Sequence, residues 1–174
     1  MLYTTVYTSP LGEMLLASDG GHLTGLWFYG QKYFPAALDE NALRTDGIFA
    51  LEAAKCWLDR YFAGGRPDCS ELALAPSGTA FQRRVWARLC AIPYGQTLSY
   101  GDIAREFAAE DGRAHMSAQA IGGAVGRNPI SVIIPCHRVL SSGGQLTGYA
   151  GGTDKKLALL TLEGVFLSSK NRGL

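Results

Sequence analysis

The first third of the chain consists of short apolar runs separated by turn residues. Three runs have strand-like patterning, at residues 2–7, 12–18 and 23–28. Proline and glycine occupy the first connection and two glycines the second, which is typical of tight turns. The pattern predicts an antiparallel meander of three strands.

Helical periodicity follows after a weakly patterned segment. Residues 31–47 predict a loop with one helical turn at most. Residues 48–62 place Leu51, Ala54 and Leu58 on one face of an amphipathic helix. Gly64 and Gly65 then end this helix. Residues 72–74 predict one further short strand.

The second half carries two sequence signatures of helix starts. Thr79 with Gln82, and Ser99 with Asp102, each form a capping box, so we expect helices from both points, the second one reaching Phe107. A third helical segment at residues 117–126 completes a helix-turn-helix order.

That third segment contains three glycines, Gly122, Gly123 and Gly126. Glycine costs about 1 kcal/mol relative to alanine inside a helix. The glycines therefore argue against a helix, or for a helix whose backbone closely approaches something. Tight packing on a neighbouring helix is the alternative explanation.

A cysteine next to a histidine forms the strongest candidate for chemistry. Residues 130–134 are apolar and mostly β-branched, which predicts a buried strand ending at Pro135, just before Cys136 and His137. A thiol attacks as the thiolate, and an imidazole oriented by a carboxylate can take its proton. Glu163, the only acid in an apolar helical stretch, is the candidate carboxylate.

Composition narrows the class of protein. Hydrophobic residues make up 47% and charged residues 18%, as in ordinary soluble globular proteins. No leader or long apolar run is evident, so we expect a cytoplasmic protein without a membrane segment. The four cysteines lack zinc-binding spacing and are predicted to be reduced thiols, with no metal site.

Charge and the junction at residues 75–78 divide the chain. Residues 1–76 hold five basic and nine acidic residues, a net charge of −4, and residues 77–174 hold eleven and six, a net charge of +5. We expect a scaffold domain over 1–76 and a functional domain over 77–174. The basic half is suited to meeting phosphate, although uneven solvated surface would give the same numbers.

The motifs of the second half resemble those of the O6-alkylguanine-DNA alkyltransferases, suicide DNA-repair methyltransferases. The resemblance rests on Pro-Cys-His-Arg-Val at 135–139, Asn128-Pro129 upstream, Leu-Glu-Gly at 162–164 and Tyr100. It is close over residues 79–164 and covers the first half only in general layout. It implies an α+β fold, with a small ribonuclease H-like sheet and helix first and a mostly helical, winged helix-turn-helix-like DNA-binding domain second.

The resemblance also implies an activity. The alkyl group of O6-alkylguanine, or that of O4-alkylthymine as a second candidate substrate, would pass irreversibly to Cys136 after base flipping. His137 and Glu163 would activate the thiol, Tyr100 would protonate the leaving guanine and Asn128 would hold the surrounding turns. Core packing for Tyr100 and helix capping for Asn128 are the alternatives. No cofactor is expected, and the expected partner is double-stranded DNA bound by a monomer.

Contacts to DNA are expected from seven residues. Arg138 has two possible roles, a phosphate contact or a structural ion pair, and Tyr149 would form a mobile wall over the pocket. Gln119 stands where many relatives carry an arginine that fills the space of the flipped nucleotide. The full set is Gln119, Ala118, Gly122, Gly123, Arg127, Arg138 and Tyr149.

Three rival functions stay open at this point. The chain could bind alkylated DNA without repairing it, although Cys136 is present. It could be a helix-turn-helix regulator, or a cysteine hydrolase that turns over many times and ignores DNA.

Overall fold

The structure is a computed structural model and describes residues 1–168. Its first half begins with the predicted antiparallel meander of β1 (Tyr3–Ser9), β2 (Gly12–Ser18) and β3 (Leu23–Phe28). The segment predicted as loop contains α1 (Ala36–Asn41) and β4 (Leu43–Arg44). Strand β4 pairs in parallel with β1, so the sheet order is β3-β2-β1-β4.

Helix α2 (Phe49–Phe62) covers this sheet, one residue shorter than predicted at its start. Its buried face contains Leu51, Leu58 and Tyr61, which share a core with Met14 of β2. The strand predicted at residues 72–74 is absent. The chain there forms a 3-10 turn at Cys69–Glu71 and a single bridge to β3 through Leu74.

The second half is mostly helical. Its regular elements are α3 (Ala80–Cys90), β5 (Leu98–Ser99), α4 (Tyr100–Glu110), α5 (Ala118–Gly126), β6 (Val139–Leu140) and α6 (Thr153–Leu162). Both predicted capping boxes are present at Thr79 and Ser99. Helix α4 runs three residues beyond the predicted end. Strands β5 and β6 pair in parallel, which brings the start of α4 beside residues 136–140.

One hydrophobic core contains residues from both halves. The amide of Leu26 in β3 donates to Pro129 O at 2.8 Å, and Ser131 N donates to Leu26 O at 2.9 Å. The first half is thereby joined to the segment that precedes Cys136. The division into domains at residue 76 stays a prediction.

The strand predicted at residues 130–134 is wrong. Only Ile130 forms a bridge, and consecutive turns follow, with Val132 in the left-handed region at φ 69°. The side chain of Asn128 replaces a neighbouring strand as partner, because its Nδ2 donates to Ile130 O (3.2 Å) and Ile134 O (2.9 Å). The apolar, β-branched composition reflects complete burial of this segment and not a sheet.

Within the described residues, no helix combines the length and apolarity needed to cross a bilayer.

Candidate active site

Cys136 is the first residue of a buried 3-10 turn, Cys136–Arg138. Only 6% of the residue is exposed, and its Sγ accepts a hydrogen bond from Asn128 Nδ2 at 3.2 Å. Burial raises the pKa of the thiol, while the bond from Asn128 and the charge of Lys156 oppose that rise. The free protein therefore holds a thiol whose ionisation needs a base.

His137 supplies an imidazole with one ring nitrogen engaged. Its Nε2 lies 2.7 Å from Glu163 Oε1, and both side chains are fully buried. Because a carboxylate can only accept, Nε2 carries the proton. Burial lowers the pKa of His137 despite the opposing effect of Glu163, so the ring starts neutral. Nδ1 is buried without a hydrogen-bond partner among residues 1–168, and it is the atom able to accept a proton.

Glu163 is the residue that immediately follows α6, and its carboxylate is held by donors from three segments. Oε1 accepts from Tyr61 OH at 2.7 Å as well as from His137, and Gly95 N reaches Oε2 at 3.1 Å. Arg138 binds both carboxylate oxygens at 2.9 Å. Burial by itself would raise the pKa of Glu163, but the bonds from His137 and Arg138 hold it well below its usual range. The carboxylate is thus charged at neutral pH and held in one position.

Arg138 was predicted either to contact phosphate or to form a structural ion pair. The residue is 7% exposed, and besides its two bonds to Glu163 it donates through Nη1 to Ile92 O at 2.6 Å. All three nitrogens of its guanidinium therefore donate to partners inside the protein. The structure supports the alternative role, an ion pair that orients the carboxylate behind His137.

Lys156 on α6 belongs to the site but was missed by sequence reasoning. It is fully buried, and its Nζ donates to Val139 O (2.6 Å) and Thr147 O (2.8 Å). Burial lowers its pKa to about 8, and its charge favours the Cys136 thiolate. The available signal was its position: Lys156 shares a helical face with Leu159 and Leu160, where a solvated lysine is not expected.

A cavity of about 300 Å³ lies between α5 and the loop before α6. Two of its walls are Tyr100 and Tyr149, and both rings are close enough to Cys136 to be affected by its charge. Burial first, and the Cys136 charge second, raise the pKa of Tyr100 to about 12 and that of Tyr149 well above its ordinary value. Both phenols are protonated donors. The lining residues are Lys32, Tyr33, Tyr100, Gly122, Gly123, Gly126, Gly148, Tyr149 and Ala150.

The glycines of α5 face this cavity, and internal packing does not require them. A Cβ added at Gly123 or Gly126 would meet nothing within 4 Å, and one at Gly122 would meet Tyr100 at 3.7 Å, an ordinary contact. Tight packing on a neighbouring helix is therefore not their explanation. They leave the backbone of α5 open to whatever enters the cavity.

The other predicted contact residues lie at the surface, at the two ends of α5. Ala118, Gln119 and Arg127 are exposed. The Arg127 guanidinium stacks 4.0 Å from the ring centre of Tyr33, a residue of the first half held at φ 62°. Lys32 and Tyr33 were missed, because no motif marks a loop residue that reaches the second half only through the tertiary fold.

A buried cysteine, histidine and glutamate beside a cavity, in a chain with a helix-turn-helix order, are the features expected of a DNA-binding protein that carries a reactive thiol. Comparison with known proteins identifies the family. Residues 2–76 match the ribonuclease-like domain of 6-O-methylguanine DNA methyltransferase, and residues 80–165 match the DNA binding domain of the same family. The chain belongs to this family.

Relatives and solved structures agree over nearly the full length. The chain is 43% identical to the methylated-DNA–protein-cysteine methyltransferase of Mycobacterium leprae, over 94% of this chain and 93% of the relative. For the Methanosarcina barkeri protein of that name the identity is 45%, over 93% and 97%. A crystal structure of Mycobacterium tuberculosis O6-methylguanine methyltransferase superposes with a TM-score of 0.79 at 40% identity, covering 97% and 96% of the two chains. The Mycobacterium tuberculosis protein has also been solved in complex with DNA, with a TM-score of 0.77 at 41% identity and 92% of each chain covered.

Proposed function

We propose that this protein repairs DNA directly, by moving the alkyl group of O6-alkylguanine in double-stranded DNA to Cys136, once per molecule. The observation that carries this proposal is the buried Cys136, next to a histidine whose Nδ1 has no partner within residues 1–168. The names of its relatives favour the same activity. No step requires a second copy of the chain, so we propose a monomer.

The thiol first loses its proton to His137 Nδ1, directly or through one water. The imidazolium that forms is stabilised by Glu163, which is charged at any working pH. Asn128 Nδ2 and the charge of Lys156 stabilise the thiolate. Both charges formed in this step, the imidazolium and the thiolate, therefore have stabilising partners that are already in place.

The thiolate then attacks the alkyl carbon in line with the carbon–oxygen bond. The new sulfur–carbon bond replaces that bond, and the electron pair leaves with guanine. The phenol of Tyr100, whose bond to Thr147 O is long at 3.5 Å, donates a proton to the leaving guanine. The products are guanine and a stable thioether, which explains why the protein acts once.

A guanine inside a duplex cannot present its O6 substituent to a buried thiol, so the nucleotide must leave the stack. The cavity beside Tyr100 and Tyr149 is the proposed receptor for the flipped base. The open backbone of α5 would lie close to the DNA, with Gln119 filling the space left in the stack and Arg127 near phosphate.

The test is incubation of the protein with duplex DNA containing O6-methylguanine, followed by intact mass and peptide mapping. We expect one added methyl group, located on Cys136, and no turnover beyond one equivalent. Cys136→Ala should accept none and still bind DNA, whereas Cys56→Ala, a change at an exposed cysteine, should behave as the parent. Methyl transfer by Cys136→Ala would overturn the proposal, and repeated turnover on esters or amides would favour a cysteine hydrolase.

A further inference from the structure

A second pair of thiols lies behind the candidate active site. Cys69 opens the 3-10 turn between α2 and α3, and Cys90 is the last residue of α3. Both are partly buried, and their side chains lie close enough for each thiol to shift the pKa of the other. They line one cavity of about 290 Å³. Two thiols brought together from distant segments and facing open space form a dithiol site.

This dithiol borders the wall of the candidate active site. Cys69 Sγ donates to Ile133 O at 2.9 Å, in the turn that leads to Cys136. Arg138, which orients Glu163, lines the same cavity. The proposed mechanism uses neither Cys69 nor Cys90, so their juxtaposition is unexplained by it.

The two sulfurs are not equivalent. The neighbouring Cys69 thiol lowers the pKa of Cys90, whereas the Cys90 side chain, together with burial, raises the pKa of Cys69. Cys90 is therefore the thiol that ionises first. Cys136, by contrast, is almost fully buried, and burial raises the pKa of its thiol.

We propose that Cys69 and Cys90 form an oxidation site, which hydroperoxides convert to a disulfide while Cys136 stays reduced. The Cys90 thiolate attacks the peroxide oxygen, forms a sulfenic acid and releases water or an alcohol. The Cys69 thiol then attacks that sulfur, forms the disulfide and releases water. Two thiols and one peroxide thus give one disulfide, and the peroxide is the species reduced.

Closing the disulfide requires the two sulfurs to approach to about 2.05 Å. Cys69 lies in a short turn, and the adjoining cavity leaves room for this movement. The partly exposed pair would intercept the oxidant before it reaches the buried acceptor thiol. The exposed Cys56 on α2 serves as an internal comparison, because its surroundings supply none of these features.

The experiment is a titration of the reduced full-length protein with hydrogen peroxide. Remaining thiols are blocked with an alkylating agent in denaturant, and the digest is mapped by mass spectrometry. Near one equivalent of peroxide, we expect a product lighter by two hydrogens, a linked peptide pair containing Cys69 and Cys90, and blocked Cys56 and Cys136. A thiol reductant should restore the parent mass.

Two variants sharpen the result. Cys56→Ser should form the disulfide as the parent does, and Cys90→Ser should form none and leave Cys69 blocked by the alkylating agent. Absence of the linked peptides in the parent would overturn the proposal. Oxidation of Cys136 at the same peroxide dose as the pair would also overturn it.

Discussion

Replacing Glu163 by glutamine separates charge from shape at the centre of the candidate site. The carboxylate accepts five hydrogen bonds, one each from Tyr61, His137 and Gly95 and two from Arg138, through its Nε and Nη2. Glutamine has nearly the same shape as glutamate but is neutral, and its amide nitrogen would point at groups that donated hydrogen bonds to the carboxylate. The variant therefore keeps the packing while leaving the buried guanidinium of Arg138 without its counter-charge.

The expected loss of stability is large. Breaking a buried ion pair by removing one partner costs about 3–5 kcal/mol. For a chain of this size each kcal/mol shifts Tm by about 2–4 °C, so we expect Glu163→Gln to melt about 6–20 °C below the parent. Glu106→Gln is the matched control. It removes the charge from a partly exposed pair with Arg88, at 2.6 and 3.0 Å, where we expect a loss of about 1 kcal/mol or less.

The same substitution should slow methyl transfer, because Glu163 stabilises the imidazolium that forms when His137 takes the thiol proton. Loss of base assistance typically costs about 10²–10⁴-fold in rate. The assay is single-turnover transfer from methylated duplex, at a temperature where the variant is fully folded. A folded Glu163→Gln protein that transfers methyl at the parental rate would refute the role of the carboxylate.

The pH dependence of stability tests independently whether folding lowers the pKa of Glu163. Since the folded state holds the pKa of Glu163 below its usual range, the ion pair stabilises the protein fully above the ordinary carboxyl pKa, about 4.3. That contribution is lost as pH falls toward the depressed folded value. Urea unfolding of the parent should therefore show a fall in stability below about pH 5 that is shallower in Glu163→Gln. Equal slopes would contradict the assignment.

Further expectations concern the same transfer assay and thermal melts. His137→Ala should slow transfer strongly, and combining it with Glu163→Gln should cost much less than the product of the single effects; multiplicative losses would argue against a shared relay. Gly123→Ala should raise the stability by up to about 1 kcal/mol and impair repair of duplex, because its Cβ enters open space facing the cavity; parental repair would show that nothing approaches there. Gln119→Arg should tighten DNA binding and steepen its salt dependence with little effect on a free alkylated base, and Gln119→Ala repairing as fast as the parent would remove its role. Methylation of Cys136 should lower stability by about 1–3 kcal/mol by overfilling a packed site, so an unchanged Tm after stoichiometric reaction would contradict a tight pocket.

Local signals in the sequence determined much of the architecture. The meander, the amphipathic α2 and the capped starts of α3 and α4 were all predicted, because turns, apolar periodicity and capping boxes act over a few residues. The Cys136-His137 pair was also recognisable as candidate chemistry from its own neighbourhood. The turn at residues 130–134 was mistaken for a strand, since burial selects the same β-branched residues whether or not a neighbouring strand exists.

Only the tertiary structure decided what surrounds the thiol. Tyr61 and Gly95 reach Glu163 across separations of 102 and 68 residues, and no local pattern encodes such a meeting. The sequence left two roles open for Arg138, a phosphate contact and an ion pair, and its burial is visible only in the fold. The buried position of Lys156 likewise depends on how α6 packs. The partners of buried charged side chains depend on how whole helices and loops pack together. The free energy of burying a charge depends on the groups around it, and these are present only in the folded protein.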